Sequence, residues 1–131
     1  MTSGAMQRVA VVDDEAGIRR ALTRLLRSAG LAVETFASGP EFLESLSGGR
    51  PDCVVLDISM PGMTGFEVQA ALKDATLAVP VIFITALDDP GDHPRAMEAG
   101  AVAFLRKPFG DEQLLAAIRA AVQSGQKSPA P

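Results

Sequence analysis

Cys53-Val54-Val55-Leu56-Asp57-Ile58 is a short apolar run rich in β-branched residues, with one acid near its end, and it opens into Ser59-Met60-Pro61-Gly62-Met63-Thr64-Gly65. A run of that length, closed by a proline-glycine turn, reads as a buried strand. Four others share its character: Val9 to Val12, Leu31 to Phe36, Val81 to Thr85 and Ala101 to Leu105. Between them lie segments with helical spacing. The clearest puts Ile18, Leu22, Leu25 and Leu26 on one face and turns Arg20, Arg24 and Arg27 largely away from it, as in an amphipathic surface helix.

Helix starts are expected at Ser38 with Pro40 before Glu41 to Leu46, at Gly65 before Phe66 to Leu72, and at Asp111 before Leu114 to Val122. Gly30, Gly48 and Gly100 supply stops. Strand and helix alternate throughout, the signature of consecutive βαβ units whose right-handed crossovers build a parallel sheet with helices on both faces. The expected class is α/β, a doubly wound five-stranded parallel sheet in the order 2-1-3-4-5.

The chain has 131 residues, 47% of them hydrophobic and 21% charged, with a formal net charge of −4. That composition suits one globular domain and argues against disorder. No cluster of like charges resembles a nucleic-acid patch or a polybasic membrane anchor, so direct nucleic-acid binding by this segment is not expected. Nor does any apolar run approach the roughly 18 residues that would span a bilayer, and Met1 to Met6 lacks the features of a signal peptide. A soluble, cytoplasmic domain over residues 7–122 is expected, after a disordered extension over 1–6 and before a polar, proline-containing linker or flexible tail over 123–131. Cys53 is the lone cysteine, suits a reducing compartment and reads as a packing residue.

In an open parallel sheet, ligands bind beyond the carboxyl ends of the strands where strand order reverses. At those ends stand Asp13, Asp14 and Glu15 after strand one, Asp57 in strand three, Thr85 in strand four, and Arg106 and Lys107 after strand five. With the order 2-1-3-4-5 the crevice gathers three carboxylates, one hydroxyl and one ammonium. Carboxylates so crowded repel unless a cation neutralises them, and a hard dication, Mg²⁺, is the natural candidate.

Val11-Val12-Asp13-Asp14-Glu15, Val55 to Gly65, the pair Thr85-Ala86 and Lys107-Pro108-Phe109 together resemble the receiver domains of two-component signalling, over about Arg8 to Val122. The resemblance implies a flavodoxin-like (βα)5 fold. It implies that Asp57 is the nucleophile, taking a phosphoryl group from a sensor histidine kinase or phosphotransfer protein. Mg²⁺ would be held by Asp13, Asp14, Asp57 and the backbone carbonyl of Ser59. Lys107, after a cis bond to Pro108, would pair with a phosphoryl oxygen, with Thr85 and the Ala86 amide donating hydrogen bonds. Thr85 and Phe104 would be the switch that carries the change to the surface of helix four, strand five and helix five. Such a domain is a regulatory phosphoacceptor rather than an enzyme acting on others, and a phosphorylation-dependent homodimer is a family output. The wording of strands four and five is similar to transcription regulators with a carboxy-terminal helix-turn-helix, which would make the tail a linker to a DNA-binding effector. A hybrid kinase's terminal receiver and a stand-alone regulator are the other settings.

Taken singly, these residues have plain structural readings. Asp14 would cap a helix, Asp57 form a turn, Thr85 fill a strand, Lys107 be a solvated charge and Phe104 a core aromatic. Their joint placement is what favours the receiver. His93 reads as a surface loop residue, and the arginines of the first helix as a solvated face, although that helix docks kinases in the family. Pro90 and Pro94, where helix four should begin, predict a late or broken start, which puts dimerisation through that face in doubt. Ser59 and Leu87 occupy the positions that tune dephosphorylation in the family. Two other functions compete: a phosphorylation-independent receiver-like interaction module, and a metal-dependent aspartyl phosphatase of the haloacid dehalogenase type, whose paired-acid spacing Asp13 and Glu15 nominally meet. A flavin or nucleotide module would need a glycine-rich loop where Asp13-Asp14-Glu15 stands.

Overall fold

The computed structural model describes residues 6–86 and 89–126. Strand and helix alternate as β1 (Arg8–Val12), α1 (Ala16–Ser28), β2 (Ala32–Phe36), α2 (Gly39–Ser45), β3 (Cys53–Asp57), α3 (Gly65–Asp74), β4 (Val81–Thr85), α4 (Asp92–Glu98), β5 (Ala103–Arg106) and α5 (Asp111–Gln126). All neighbouring strands pair in parallel, in the order β2-β1-β3-β4-β5. β3 and β4 are buried along their whole length, whereas β2 lies at an edge and exposes Glu34 and Thr35.

Because successive strand side chains point to opposite faces, the sheet has two cores. Ala10, Val12, Val54, Leu56, Val81 and Phe83 pack with Phe42 of α2, Phe66 and Leu72 of α3, and Ala96 of α4. On the other face Val9, Val11, Val55, Ile82 and Ile84 meet Leu22 and Leu26 of α1 and Leu114 and Ile118 of α5. Cys53 is fully buried in this second core. Burial, reinforced by the charge of Asp52, pushes its thiol up to about 12, so the inert packing role follows.

Local chemistry sets the helix entries. Ser38 accepts the Glu41 amide with Pro40 in the first turn of α2, and Thr64 and Glu67 form a reciprocal capping box at α3. Positive φ angles at Gly30 and Gly100 end α1 and the turn after α4. After α2 the left-handed residue is Gly49, one beyond the expected Gly48, which closes a short 3₁₀ turn, Leu46–Gly48.

Two elements, β5 and α5, depart from the sequence expectation. β5 begins at Ala103, two residues later than the apolar run suggests, because Ala101 is buried through a turn in which its amide donates to Ala96. α4 starts late, as Pro90 and Pro94 lead one to expect, at Asp92, and is seven residues long. Pro94 falls in its first turn, where a backbone N–H has no intrahelical acceptor to lose. α5 continues to Gln126, past Val122. Of the expected extension over 1–6 only Met6 is described, and of the expected tail only residues 123–126. Among the described residues no helix is long and apolar enough to cross a membrane.

The chain leaves β1 toward β2 and returns to place β3 on β1's other side. That reversal opens a crevice at the carboxyl ends of β1 and β3.

Candidate acidic phosphoacceptor site

β1 runs directly into Asp13, whose carboxylate is fully buried and whose Oδ1 accepts the Glu15 amide at 2.9 Å. Arg19, one turn into α1, donates to the Asp13 carbonyl at 2.7 Å and fixes the loop from outside. β3 ends on Asp57, only 3% exposed, with the Ser59 amide donating to its Oδ1 at 3.2 Å. Asp14 is exposed, yet Asp13, Asp14 and Asp57 can each offer an oxygen such that all three lie within 4.8 Å of one another.

One ammonium answers this charge. Lys107 Nζ lies 2.8 Å from Asp13 Oδ2, 3.3 Å from Glu15 Oε1 and 3.7 Å from Asp57 Oδ2. The Lys107–Pro108 peptide is cis, and the Lys107 amide donates to the Thr85 carbonyl at 2.8 Å. Burial works against the ammonium, but its hydrogen bond to Asp13, the charges of Asp57 and Asp13 and the bond to Glu15 outweigh it and raise its pKa. Asp57 is the destabilised partner. Burial and the charge of Asp13 lift its pKa from 3.8 to about 6, against the opposing pull of Lys107 and the Ser59 amide, while Asp14 adds to the rise.

Gly65 sits behind the acid. Its amide donates to Ile58, and a Cβ there would stand 2.6 Å from the Asp57 carbonyl oxygen and 3.0 Å from the Ile58 Cα. Only a glycine lets α3 begin so close to the end of β3.

Thr85 is fully buried at the end of β4, and Ala86 follows it at the surface. Register pairs Phe83 with Phe104 and Thr85 with Arg106, so Thr85 and Phe104 share one face of the sheet. Phe104 is half-buried against the first core. His93 is not a loop residue: it lies on α4 and stacks on Phe104, with centroids 5.0 Å apart and planes 8° from parallel. Leu87 lies outside the described residues.

The crevice therefore brings Asp13, Asp14, Asp57 and Lys107 together, with Ser59 attached through its amide. Glu15, to which the receiver resemblance assigns no role, joins them through Lys107. An acid next to two others gives no sequence signal of its own for a partner 92 residues away.

The model of the response regulator receiver domain matches residues 9–119. The chain belongs to that family. Among curated relatives, this receiver is 44% identical to Nodulation protein W of Bradyrhizobium diazoefficiens over 119 residues, covering 91% of the chain and 52% of the relative. It is 42% identical to the response regulator protein TodT of Pseudomonas putida over 123 residues, covering 92% and 54%. The receiver thus spans about half the length of the curated relatives it matches. Among solved structures, FixJ-N superposes with a TM-score of 0.84 at 34% identity, covering 100% of both chains. A response regulator receiver protein from Burkholderia phymatum gives 0.80 at 52% identity, covering 89% of this chain and 95% of that one. The flavodoxin-like receiver fold and its two-component setting are established by these matches.

Proposed function

We propose that this receiver is a cytoplasmic, regulatory phosphoacceptor. Asp57 takes a phosphoryl group from the phosphohistidine of a sensor histidine kinase or phosphotransfer protein, and the domain catalyses only its own phosphorylation and dephosphorylation. The observation that carries this reading is the state of Asp57: a buried carboxylate at a strand end, beside two other acids and only 3.7 Å from an ammonium.

In the transfer, an Asp57 carboxylate oxygen attacks phosphorus in line, the P–N bond to the imidazole breaks, and the leaving nitrogen retains its electron pair and is protonated from solvent. The Ser59 amide holds Oδ1 of Asp57, which leaves Oδ2, the oxygen nearer Lys107, as the attacking atom. Lys107 then meets a phosphoryl oxygen with its ammonium, and Thr85 and the Ala86 amide donate to the same group. The donor set of Asp13, Asp14, Asp57 and the Ser59 carbonyl, all hard oxygens with one ammonium among the carboxylates, fits Mg²⁺. Bound there, the ion supplies charge neutralisation between carboxylate and phosphoryl oxygens.

A phosphoryl group drawing the Thr85 hydroxyl toward it frees space on the face shared with Phe104. Rotation of that ring would carry the change to α4, β5 and α5. The output we propose is transcriptional, through a DNA-binding effector domain outside this chain, with phosphorylation-dependent homodimerisation as one route. Relatives about twice as long support this, one of them the transcriptional regulatory protein TdiR of Thauera aromatica, 40% identical over 120 residues.

Incubation with acetyl phosphate followed by intact-mass measurement tests the reading. One added phosphoryl group that requires Mg²⁺ and is absent in Asp57→Asn is expected. An unmodified wild type under the same conditions would instead favour a phosphorylation-independent module.

A further inference from the structure

Among the described residues the Lys107 ammonium makes two hydrogen bonds, and neither goes to Asp57. They go to Asp13 at 2.8 Å and to Glu15 at 3.3 Å, leaving Asp57 at 3.7 Å. Glu15 occupies the N-cap of α1, yet its side chain makes no capping hydrogen bond. Its carboxylate is committed instead to an ammonium on the far side of the crevice. Asp13, buried and fixed by the Glu15 amide, cannot follow Lys107 if it moves. The Glu15 side chain is 61% exposed and can.

We infer that Glu15 is a positioning residue, whose carboxylate holds the Lys107 ammonium away from Asp57 and competes for it with the oxygens of an incoming phosphoryl group. This rests on the phosphoacceptor reading and deepens it. A donor must displace Glu15 before Lys107 can serve a phosphoryl oxygen, so the contact weakens donor binding. Once Asp57 is phosphorylated, the same carboxylate draws the ammonium back and favours the unphosphorylated state. An ion pair with one solvent-exposed partner, as Glu15 is here, changes an equilibrium by about fivefold, which suits a residue that adjusts the reaction without performing it.

Two substitutions separate contact from charge. Glu15→Gln removes the charge, whereas Glu15→Asp keeps it on a side chain one methylene too short to reach Lys107. With Mg²⁺ in fixed excess, both should lower the KM for acetyl phosphate about threefold, leave kcat nearly unchanged and lengthen the phosphorylated lifetime. In metal-free protein the ¹H–¹⁵N signal of the Lys107 ammonium, assigned by its loss in Lys107→Ala, should shift or broaden in both variants. Wild-type KM and an unmoved ammonium signal in both would overturn the inference. So would a Glu15→Asp variant that behaves as wild type while Glu15→Gln does not, since charge at the mouth would then act without the contact. Failure of wild type to accept a phosphoryl group would refute the phosphoacceptor reading itself, and the ammonium signal would then decide the contact by itself.

Discussion

Asp57 is held where its charge is costly. A carboxylate whose folded pKa exceeds its unfolded one binds its proton more tightly in the folded state, so its contribution favours folding at low pH and is lost as pH rises through about 6. In metal-free protein at pH 7, Asp57→Asn should therefore raise unfolding stability, by about 3 kcal/mol. It should also flatten the fall in stability between pH 4 and 6, read by urea denaturation across pH; equal stability of the two proteins at pH 7 would contradict the burial argument. Gly65 is the matching steric constraint. Gly65→Ala puts a methyl against the Asp57 carbonyl and should cost about 1–3 kcal/mol while slowing phosphoryl uptake, an effect visible as a lowered denaturation midpoint together with a reduced acetyl phosphate rate. At this scale the acids, Lys107 and Thr85 were readable from their places at strand ends. The engagements of Glu15 with Lys107 and of His93 with Phe104 were not, because each joins residues from different elements and depends on side-chain direction rather than on sequence spacing.

α4 is the element with least local support. It has seven residues, and its N-cap Gly91 makes no side-chain capping bond. It is held by side chains from elsewhere: Gln69 of α3 donates to the Ala99 carbonyl at 2.8 Å, Arg95 lies 4.0 Å from the centre of the Phe66 ring, and His93 stacks on Phe104. Gln69 is buried, so Gln69→Ala should leave the Ala99 carbonyl unsatisfied and cost about 1–3 kcal/mol, with amide hydrogen exchange rising first in residues 92–100. Exchange that rises evenly over the whole sheet would count against a local anchor. The late start of α4 was legible because Pro94 restricts the chain wherever it sits. The end of α5 was not, because its apolar stripe stops at Val122 while the helix continues through polar residues that carry no periodic signal. β5 shows a related limit: an apolar run reports burial, and at Ala101 burial precedes the strand.

The whole molecule places two cores under one acidic crevice, and the order of strands was legible because parallel βαβ units leave few alternatives. Crowded acids at the strand ends also give the domain a stake in binding a dication. Mg²⁺ at about a hundred times its Kd should stabilise the protein by about 2.7 kcal/mol, reversibly on chelation, in a thermal melt. Asp14→Asn should lose most of that gain, whereas an equal shift in Asp14→Asn would move the ion away from the cluster of Asp13, Asp14 and Asp57. The central claim, that Asp57 is the phosphoacceptor, is tested most directly by trapping the acyl phosphate. Protein treated with acetyl phosphate and Mg²⁺ is reduced with borohydride, which converts a phosphorylated aspartate to homoserine, and its peptides are sequenced by mass spectrometry. Homoserine at position 57 alone is the predicted result; homoserine at Asp13 or Asp14, or none at any position, would contradict it.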